Sequence, residues 1–258
     1  MIAILLCAGF ATRMVPLTAD FPKPLLPVAE KPALDYLVDQ LAVVPDIEGI
    51  HLVTNAKFAT HFDRWRQSRL NRSDSSHLKI VIHNDGVSTA ENRLGACADL
   101  HLVFQRLSST GPALVSAGDN IYLFGLQELC ERFLSGKSHR IIALAEDNQE
   151  NLKRSGVPVF GDNDRLMRLL EKPARPPVGW ICPPLYFLRP SARMVLEEFL
   201  ECCRPVDAPG HFIDYLCCKE PVTAFRIHAR RLDIGSLETY READRMMRSL
   251  SPRKPGKI

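Results

Sequence analysis

Four charged residues stand in or near turns that adjoin apolar runs: Arg13, Lys23, Asp119 and Asp233. Arg13 and Lys23 follow the run Ile2–Leu6 and then Gly9, where a backbone without Cβ can turn and approach a ligand closely. Pro22 and Pro24 stiffen the chain around Lys23 and keep its approach out of a helix. A turn followed by two placed cations is a sound way to hold a polyphosphate. Asp119 lies in Ala117-Gly118-Asp119-Asn120, and Asp233 in Leu232-Asp233-Ile234-Gly235-Ser236. Taken singly, the first reads equally as a turn residue and the second as a helix cap. As a pair at sheet edges, two carboxylates suit a hard cation such as Mg²⁺ shared with phosphate oxygens. The first loop is neither a P-loop nor a dinucleotide fingerprint, because G-x-x-x-x-G-K-S/T and G-x-G-x-x-G are both missing.

The elements that must position these residues alternate between strand and helix. Ile2–Leu6 has no polar alternation, which predicts a strand buried on both faces of a parallel sheet. A helix follows with Pro32 at its first turn and Leu34, Leu37, Val38 and Leu41 on one face. Ile50–Thr54 reads as a strand, Ala56–Arg69 as a helix carrying Trp65, 71–77 as a turn-rich loop and Leu78–His83 as a strand. Ala90–Leu107 reads as a helix despite Gly95, whose cost of about 1 kcal/mol there points to a packing or ligand reason. Ala113–Ser116 is a further buried strand. This β-α-β order predicts an α/β fold with a Rossmann-like open, mostly parallel sheet flanked by helices. Ligands of such sheets bind beyond the carboxyl ends of the strands, where Gly9, Asn84 and Asp119 would fall.

The second half departs from that rhythm. Arg140–Ala145 continues the sheet, and Val157–Phe160 with Leu166–Leu170 reads as a hairpin. Glu171-Lys172-Pro173 follows directly. Leu185–Leu188 and Val222–His228 read as strands, and Pro190–Cys203, His211–Cys218 and Ser236–Leu250 as helices, the last capped by Ser236. The tail 251–258 is basic and is expected to fray.

Composition excludes several classes. A net charge of +3 with scattered cations does not suit nucleic acid. No apolar run approaches the roughly 18–20 residues that span a bilayer. The opening MIAILLCAG lacks a basic segment and leads straight into the cationic loop, so it is not read as a signal peptide. The 8 cysteines include no C-x-x-C, which favours buried, reduced thiols in a cytoplasmic protein over a zinc site.

The string LLCAGFATRM, with Pro16-Leu17-Thr18 and Pro22-Lys23-Pro24-Leu25 behind it, resembles the signature of the sugar-phosphate nucleotidyltransferases, also called nucleoside-diphosphate-sugar pyrophosphorylases. Gly118-Asp119-Asn120 and Asp233-Ile234-Gly235-Ser236 with Tyr240 resemble that family's two metal-binding segments. Glu171-Lys172-Pro173 resembles its E-K-P, whose lysine meets the acceptor phosphate, and Gly156-Val157 its Y-G-V, which lines the sugar. The resemblance implies the nucleotide-diphospho-sugar transferase fold in one domain over about 1–250, with a nucleotide half about 1–120 and an acceptor half about 121–235. It implies transfer of a nucleoside monophosphate from an NTP to a phosphate monoester, foremost a sugar 1-phosphate, with Mg²⁺ as cofactor. Arg13 and Lys23 would be catalytic and would bind the nucleotide with Leu6, Ala8, Gly9, Asn84 and Gly95. Gly156, Glu171 and Lys172 would bind the acceptor, and Asp119 and Asp233 the metal. No hexapeptide repeat is found, so the β-helix that some relatives append is not expected.

The departures bear on substrate. Ala11 replaces a family glycine in the first loop, Arg93 stands in a stretch that is usually glycine-rich, and Pro184 replaces a glycine of the acceptor strand. Because Arg93 and Pro184 stand where sugar-specific relatives have glycine, the acceptor pocket is expected to be smaller or more cationic than a hexose site. Asn92 resembles an element of phosphocholine cytidylyltransferases, so a cytidylyltransferase acting on a non-sugar phosphate is the alternative. A catalytically inactive regulatory homologue is the alternative of another class. Base, acceptor and oligomeric state, a homo-oligomer included, stay open.

Overall fold

The protein is described by a computed structural model covering residues 1–71, 79–108, 110–177, 179–203 and 207–250. The loop read at 71–77 (beyond Asn71), the first residue of the strand read from Leu78, and the tail 251–258 lie outside the described residues. The first half runs β1 (Ile2–Leu6), β2 (Pro27–Val28), β3 (Lys31–Pro32), α1 (Ala33–Ala42), β4 (Gly49–Thr54), α2 (Ala59–Leu70), β5 (Lys79–Asn84), α3 (Ala96–Arg106), β6 (Ala113–Ala117) and β7 (Asn120–Tyr122). The second runs α4 (Gln127–Leu134), β8 (His139–Glu146), α5 (Gln149–Lys153), β9 (Gly156–Phe160), β10 (Leu166–Glu171), β11 (Gly179–Ile181), β12 (Leu185–Leu188), α6 (Ala192–Cys202), α7 (Pro209–Lys219), β13 (Val222–Ile227), β14 (Arg231–Asp233) and α8 (Leu237–Leu250).

The central sheet follows the order β11-β8-β12-β6-β1-β4-β5, with β13 on the other edge of β8. Parallel pairs join β1 to β4 and β6, β4 to β5, and β8 to β13. Strand β12 runs antiparallel between β6 and β8, and β11 runs antiparallel on β8. The sheet is therefore mixed but mostly parallel, as its apolar runs predict. Its centre is β1, whose Ile2 stands beside both Gly49 and Ala113.

Alternation along β1 feeds two cores. Ala3, Leu5 and Cys7 pack with α1, α2 and α4 on one face; Ile2 and Ile4 pack with α3, α6 and α7 on the other. Ile4 and Leu5 are both fully buried, each contributing about 1.5–3 kcal/mol by leaving water. The face predicted for α1 is the buried one, and Trp65 of α2 reaches it to donate to Asp35 Oδ1 at 2.7 Å. A third, smaller cluster joins Met14 and Leu26 of the first loop to Ile121, Leu232 and Ala243. It binds the β7–β14 pair and α8 to that loop, and so fixes the region where the cations and carboxylates meet.

Several boundaries differ from the sequence reading, among them helix α6 at Ala192–Cys202 and helix α7 at Pro209–Lys219, and three of them have a local cause. Pro32 lies before α1 as its capping residue, so the helix proper begins at Ala33. Helix α2 begins at Ala59, after Asn55 Oδ1 has accepted the Phe58 amide at 3.0 Å. Gly95 is not inside a helix: α3 starts at Ala96, and Gly95 precedes it at φ 92°, ψ 153°. That is a backbone region that favours glycine, which supplies the reason for this residue. The β9–β10 hairpin and the Ser236 cap are as read, Ser236 Oγ accepting the Thr239 amide at 3.2 Å.

Candidate active site

The chain leaves the sheet at the carboxyl end of β1 under tight control. Cys7 N–H donates to the Val53 carbonyl at 2.9 Å, and the Asn55 amide donates to the Ala8 carbonyl at 2.9 Å. The Leu6 carbonyl accepts the Gly118 N–H at 3.1 Å, which ties β1 to the loop after β6. Gly9 is exposed, and a Cβ built on it would meet nothing within 4 Å. The turn expected at Gly9 falls instead at Ala11, in the left-handed region at φ 48°, ψ 41°. Ala11's carbonyl accepts two donors, Met14 N–H at 3.0 Å and Thr18 Oγ1 at 2.9 Å. Thr18 and Met14 are both buried, so they clamp the loop while Arg13, next to Met14, projects into solvent. The methyl at Ala11 thus leaves the left-handed turn in place. Arg13 has no ion pair among the described residues.

Lys23 sits in a single helical turn, Lys23–Leu25, framed by the prolines and anchored by buried Pro24 and Leu25. Its ammonium touches Asp119 Oδ2. Gly118 makes this meeting feasible: a Cβ there would lie 2.3 Å from Cys7 Sγ and 3.3 Å from Leu34 Cδ1. Asp119 can therefore come close to the tip of β1 only because its neighbour lacks a side chain. Its Oδ1 accepts Asn120 Nδ2 at 2.9 Å, and Asn120 Oδ1 accepts Arg231 Nη1 at 2.6 Å. Antiparallel pairing of β7 with β14 sets Asp233 opposite Asn120. Residues distant in sequence are so brought side by side.

The electrostatics follow from that geometry. Burial alone would raise Asp119, but the charge and hydrogen bond of Lys23 outweigh it and hold the carboxyl below its usual range. Asp233 is reached by solvent yet hemmed in by protein. That desolvation, and then the charge of Asp119, lifts its carboxyl above the ordinary value against the pull of Arg231, Lys23 and Arg13. Lys23 thus acts on both carboxylates, and Arg13 on Asp233. No group of three or more His, Cys, Asp or Glu side chains that could hold a metal is found among the described residues. Two hard carboxylates, that of Asp233 exposed to solvent, fit Mg²⁺, which is commonly held by one or two carboxylates together with substrate phosphates.

A second group lies around the end of β10. Glu171 pairs across the hairpin with Gly156, and Cys182 N–H donates to the Gly156 carbonyl at 2.7 Å. A Cβ at Gly156 would lie 3.5 Å from Glu171 Oε2, and one at Gly210 only 2.3 Å from it. The carboxylate is wedged between two glycines, the second at the start of α7. Lys172 adopts φ 48°, donates its N–H to the Ser155 carbonyl at 3.0 Å, and sets its ammonium 3.4 Å from Glu171 Oε1. Asn84 is exposed at the end of β5, its Oδ1 accepting Gly86 N–H at 2.8 Å. Gly95 is buried at the start of α3. Arg93, one of the residues behind the expectation of a smaller or more cationic pocket, is paired with Asp207 at 3.1 Å.

Sequence reading missed Thr18, Asn55, Asn120, Asp207 and Gly210. Thr18 and Asn120 lay inside quoted motifs, so their positions were visible although their partners were not. Asp207 and Gly210 carried no local signal, since each acts on a group far away in the chain.

The chain belongs to the nucleotidyl transferase family, whose model matches residues 2–249. It is similar to UTP–glucose-1-phosphate uridylyltransferase AglF of Haloferax volcanii, with 26% identity over 95% of this chain and 96% of the relative. It is also similar to the low-salt glycan biosynthesis nucleotidyltransferase Agl11 of the same organism, with 28% identity over 76% of this chain. The chain spans only 51% of Agl11, about half its length. Among solved structures, UDP-glucose pyrophosphorylase of Acinetobacter baumannii superimposes with a TM-score of 0.78 at 20% identity, covering 98% of this chain and 95% of that one. The fold is thus that of the nucleotide-diphospho-sugar transferases.

Proposed function

We propose that this protein transfers a nucleoside monophosphate from an NTP to a sugar 1-phosphate, releasing pyrophosphate and forming a nucleoside-diphosphate sugar. The observation that carries the reading is the convergence of Lys23, Asp119 and Asp233 beside Arg13, at the carboxyl ends of β1 and β6. A relative named for UTP and glucose 1-phosphate supports the substrate class. Residues about 1–120 form the nucleotide half and about 121–235 the acceptor half of one domain.

A phosphate oxygen of the acceptor attacks the α-phosphorus of the NTP, an O–P bond forms, and the bond to the departing pyrophosphate breaks. The attacking oxygen is already ionised, so no general base is needed. What remains is to bring two polyanions together in line, which is a matter of positioning and charge neutralisation. Arg13 and Lys23 neutralise the triphosphate and the charge that develops at its α-phosphate. Leu6, Ala8 and Gly9 present backbone to the base, and Asn84 and Gly95 border it. Lys172 holds the acceptor phosphate, while Glu171 and Gly156 line the acceptor. Asp119 and Asp233 would hold Mg²⁺, which when bound supplies charge neutralisation at the phosphate oxygens. Among the described residues no helix is long and apolar enough to cross a membrane. The free cysteines suit a reducing compartment such as the cytoplasm. Pyrophosphate release measured across the NTPs and a panel of sugar 1-phosphates, beside phosphocholine, tests the reading. Activity on phosphocholine alone would replace it with a cytidylyltransferase of a non-sugar phosphate.

A further inference from the structure

We propose that Asp207 sets which acceptors the site takes, by holding Arg93 at the rim and cancelling its charge. The proposal rests on the reading of the protein as a sugar-1-phosphate nucleotidyltransferase. Arg93 Nε lies 3.2 and 3.3 Å from the two Asp207 carboxylate oxygens, and Nη2 lies 3.1 Å from Oδ2. Nη1 donates to the Ala90 carbonyl at 3.2 Å, which fixes the plane of the guanidinium. The pair closes a seam between two helix starts. Asp207's own carbonyl accepts the Ala96 N–H at 3.2 Å, and the next residue's carbonyl accepts Cys97 Sγ at 3.7 Å. Three residues beyond Asp207, Gly210 gives Glu171 its place, and Lys172 follows Glu171. Arg93 therefore stands at the edge of the acceptor region, from the side of the chain that leads into α3.

Both partners are more than half exposed, at 56% and 57%. An ion pair of that exposure is weak, so it controls the local charge without locking the structure. With the pair formed, the charge of Arg93 is cancelled, and the rim admits an acceptor whose only anionic group is its phosphate. Without the Asp207 charge, the planar fork of Arg93 is free to meet a second carboxylate or phosphate on the acceptor. Rim charges of this kind decide between partners more than they set overall affinity.

The test is Asp207→Asn, which keeps the shape of the side chain and leaves the backbone link to Ala96 untouched. Pyrophosphate release is followed with a neutral hexose 1-phosphate and with a hexuronic acid 1-phosphate, using the NTP that turns over fastest. The ratio of kcat/KM should shift toward the uronic acid by about fivefold, the size expected for one exposed charge contact. The double variant Asp207→Asn/Arg93→Gln should return the ratio to that of the wild type. An unchanged ratio in Asp207→Asn, or a shift that survives in the double variant, overturns the proposal alone. A wild-type protein that uses no sugar 1-phosphate with any NTP overturns the functional reading and this proposal with it.

Discussion

The ammonium of Lys23 lies in direct contact with the carboxylate of Asp119, the first from the loop after β1 and the second from the end of β6. Each group thereby supplies the other's counter-charge, which lets both stand largely shielded from water. On the proposed reading, Mg²⁺ and the triphosphate would offer better partners to both, and the contact would be a placeholder for the bound state. Asp119→Ala and Asp233→Ala should each abolish Mg²⁺-dependent turnover while the protein stays folded. Turnover and thermal unfolding measured side by side check this. A variant with near-wild-type activity would show that its carboxylate is no metal ligand.

Arg13 lies on a clamped loop but is itself exposed, so its removal should leave the fold intact. Loss of one preorganised contact to a transition state typically lowers kcat by about 10²–10³. Arg13→Ala should show that loss with a much smaller change in KM for the NTP. A raised KM with unchanged kcat would assign Arg13 to ground-state binding.

Ala11 occupies a backbone region that disfavours a residue with a Cβ by about 1–2 kcal/mol. Ala11→Gly should relieve that strain and raise stability by up to about 1 kcal/mol, once the greater freedom of the unfolded glycine is counted. Thr18→Val removes the hydroxyl that reaches the Ala11 carbonyl and should lower stability by about 1 kcal/mol. Urea unfolding of the two variants reads both signs. A destabilised Ala11→Gly would contradict the left-handed geometry.

His51 and His83 stack at 5.2 Å between ring centroids, with Nδ1 of the first 2.9 Å from Nε2 of the second. One ring must donate and the other accept, so the two cannot both be protonated in this arrangement. Burial, and then the nearness of His51 and Arg106, pushes His83 down to about 4. An unfolded histidine titrates near 6.5. Between those values the unfolded chain binds a proton that the folded one refuses. The pair's contribution is therefore present above about pH 6.5 and is lost as pH falls toward 4. Stability curves of wild type and His83→Gln should converge or cross on acidification. Parallel curves through that window would contradict the assignment.

Much of the fold could be read before any coordinates. Ile2–Leu6 is a strand with those bounds because an uninterrupted apolar run has few alternatives at the centre of a parallel sheet. The apolar stripe of α1 is legible for the same reason, since its helical period leaves a single face to bury. Short pairings were not legible. Strand β14 has three residues and exists because β7 lies opposite, which no local pattern announces. Arg13, Lys23, Asp119 and Asp233 could be named from motif spacing, but the contacts that hold them come from elsewhere. The Cys7 thiol against Gly118 and the Glu171 carboxylate against Gly210 are long-range fits, visible only once the chain is folded. Arg93 carries the same lesson: its partner, Asp207, lies far along the chain and meets it only once the chain is folded.

The central claim is that the α-phosphate moves to the acceptor while the β- and γ-phosphates leave together. Parallel reactions with α-labelled and γ-labelled NTP, a sugar 1-phosphate and Mg²⁺ test this most directly. The account predicts α-label in a nucleoside-diphosphate sugar and an equal amount of γ-label in pyrophosphate, with neither formed when the acceptor is omitted. Release of γ-label as single phosphate, or no transfer of α-label to any sugar 1-phosphate with any NTP, would contradict it.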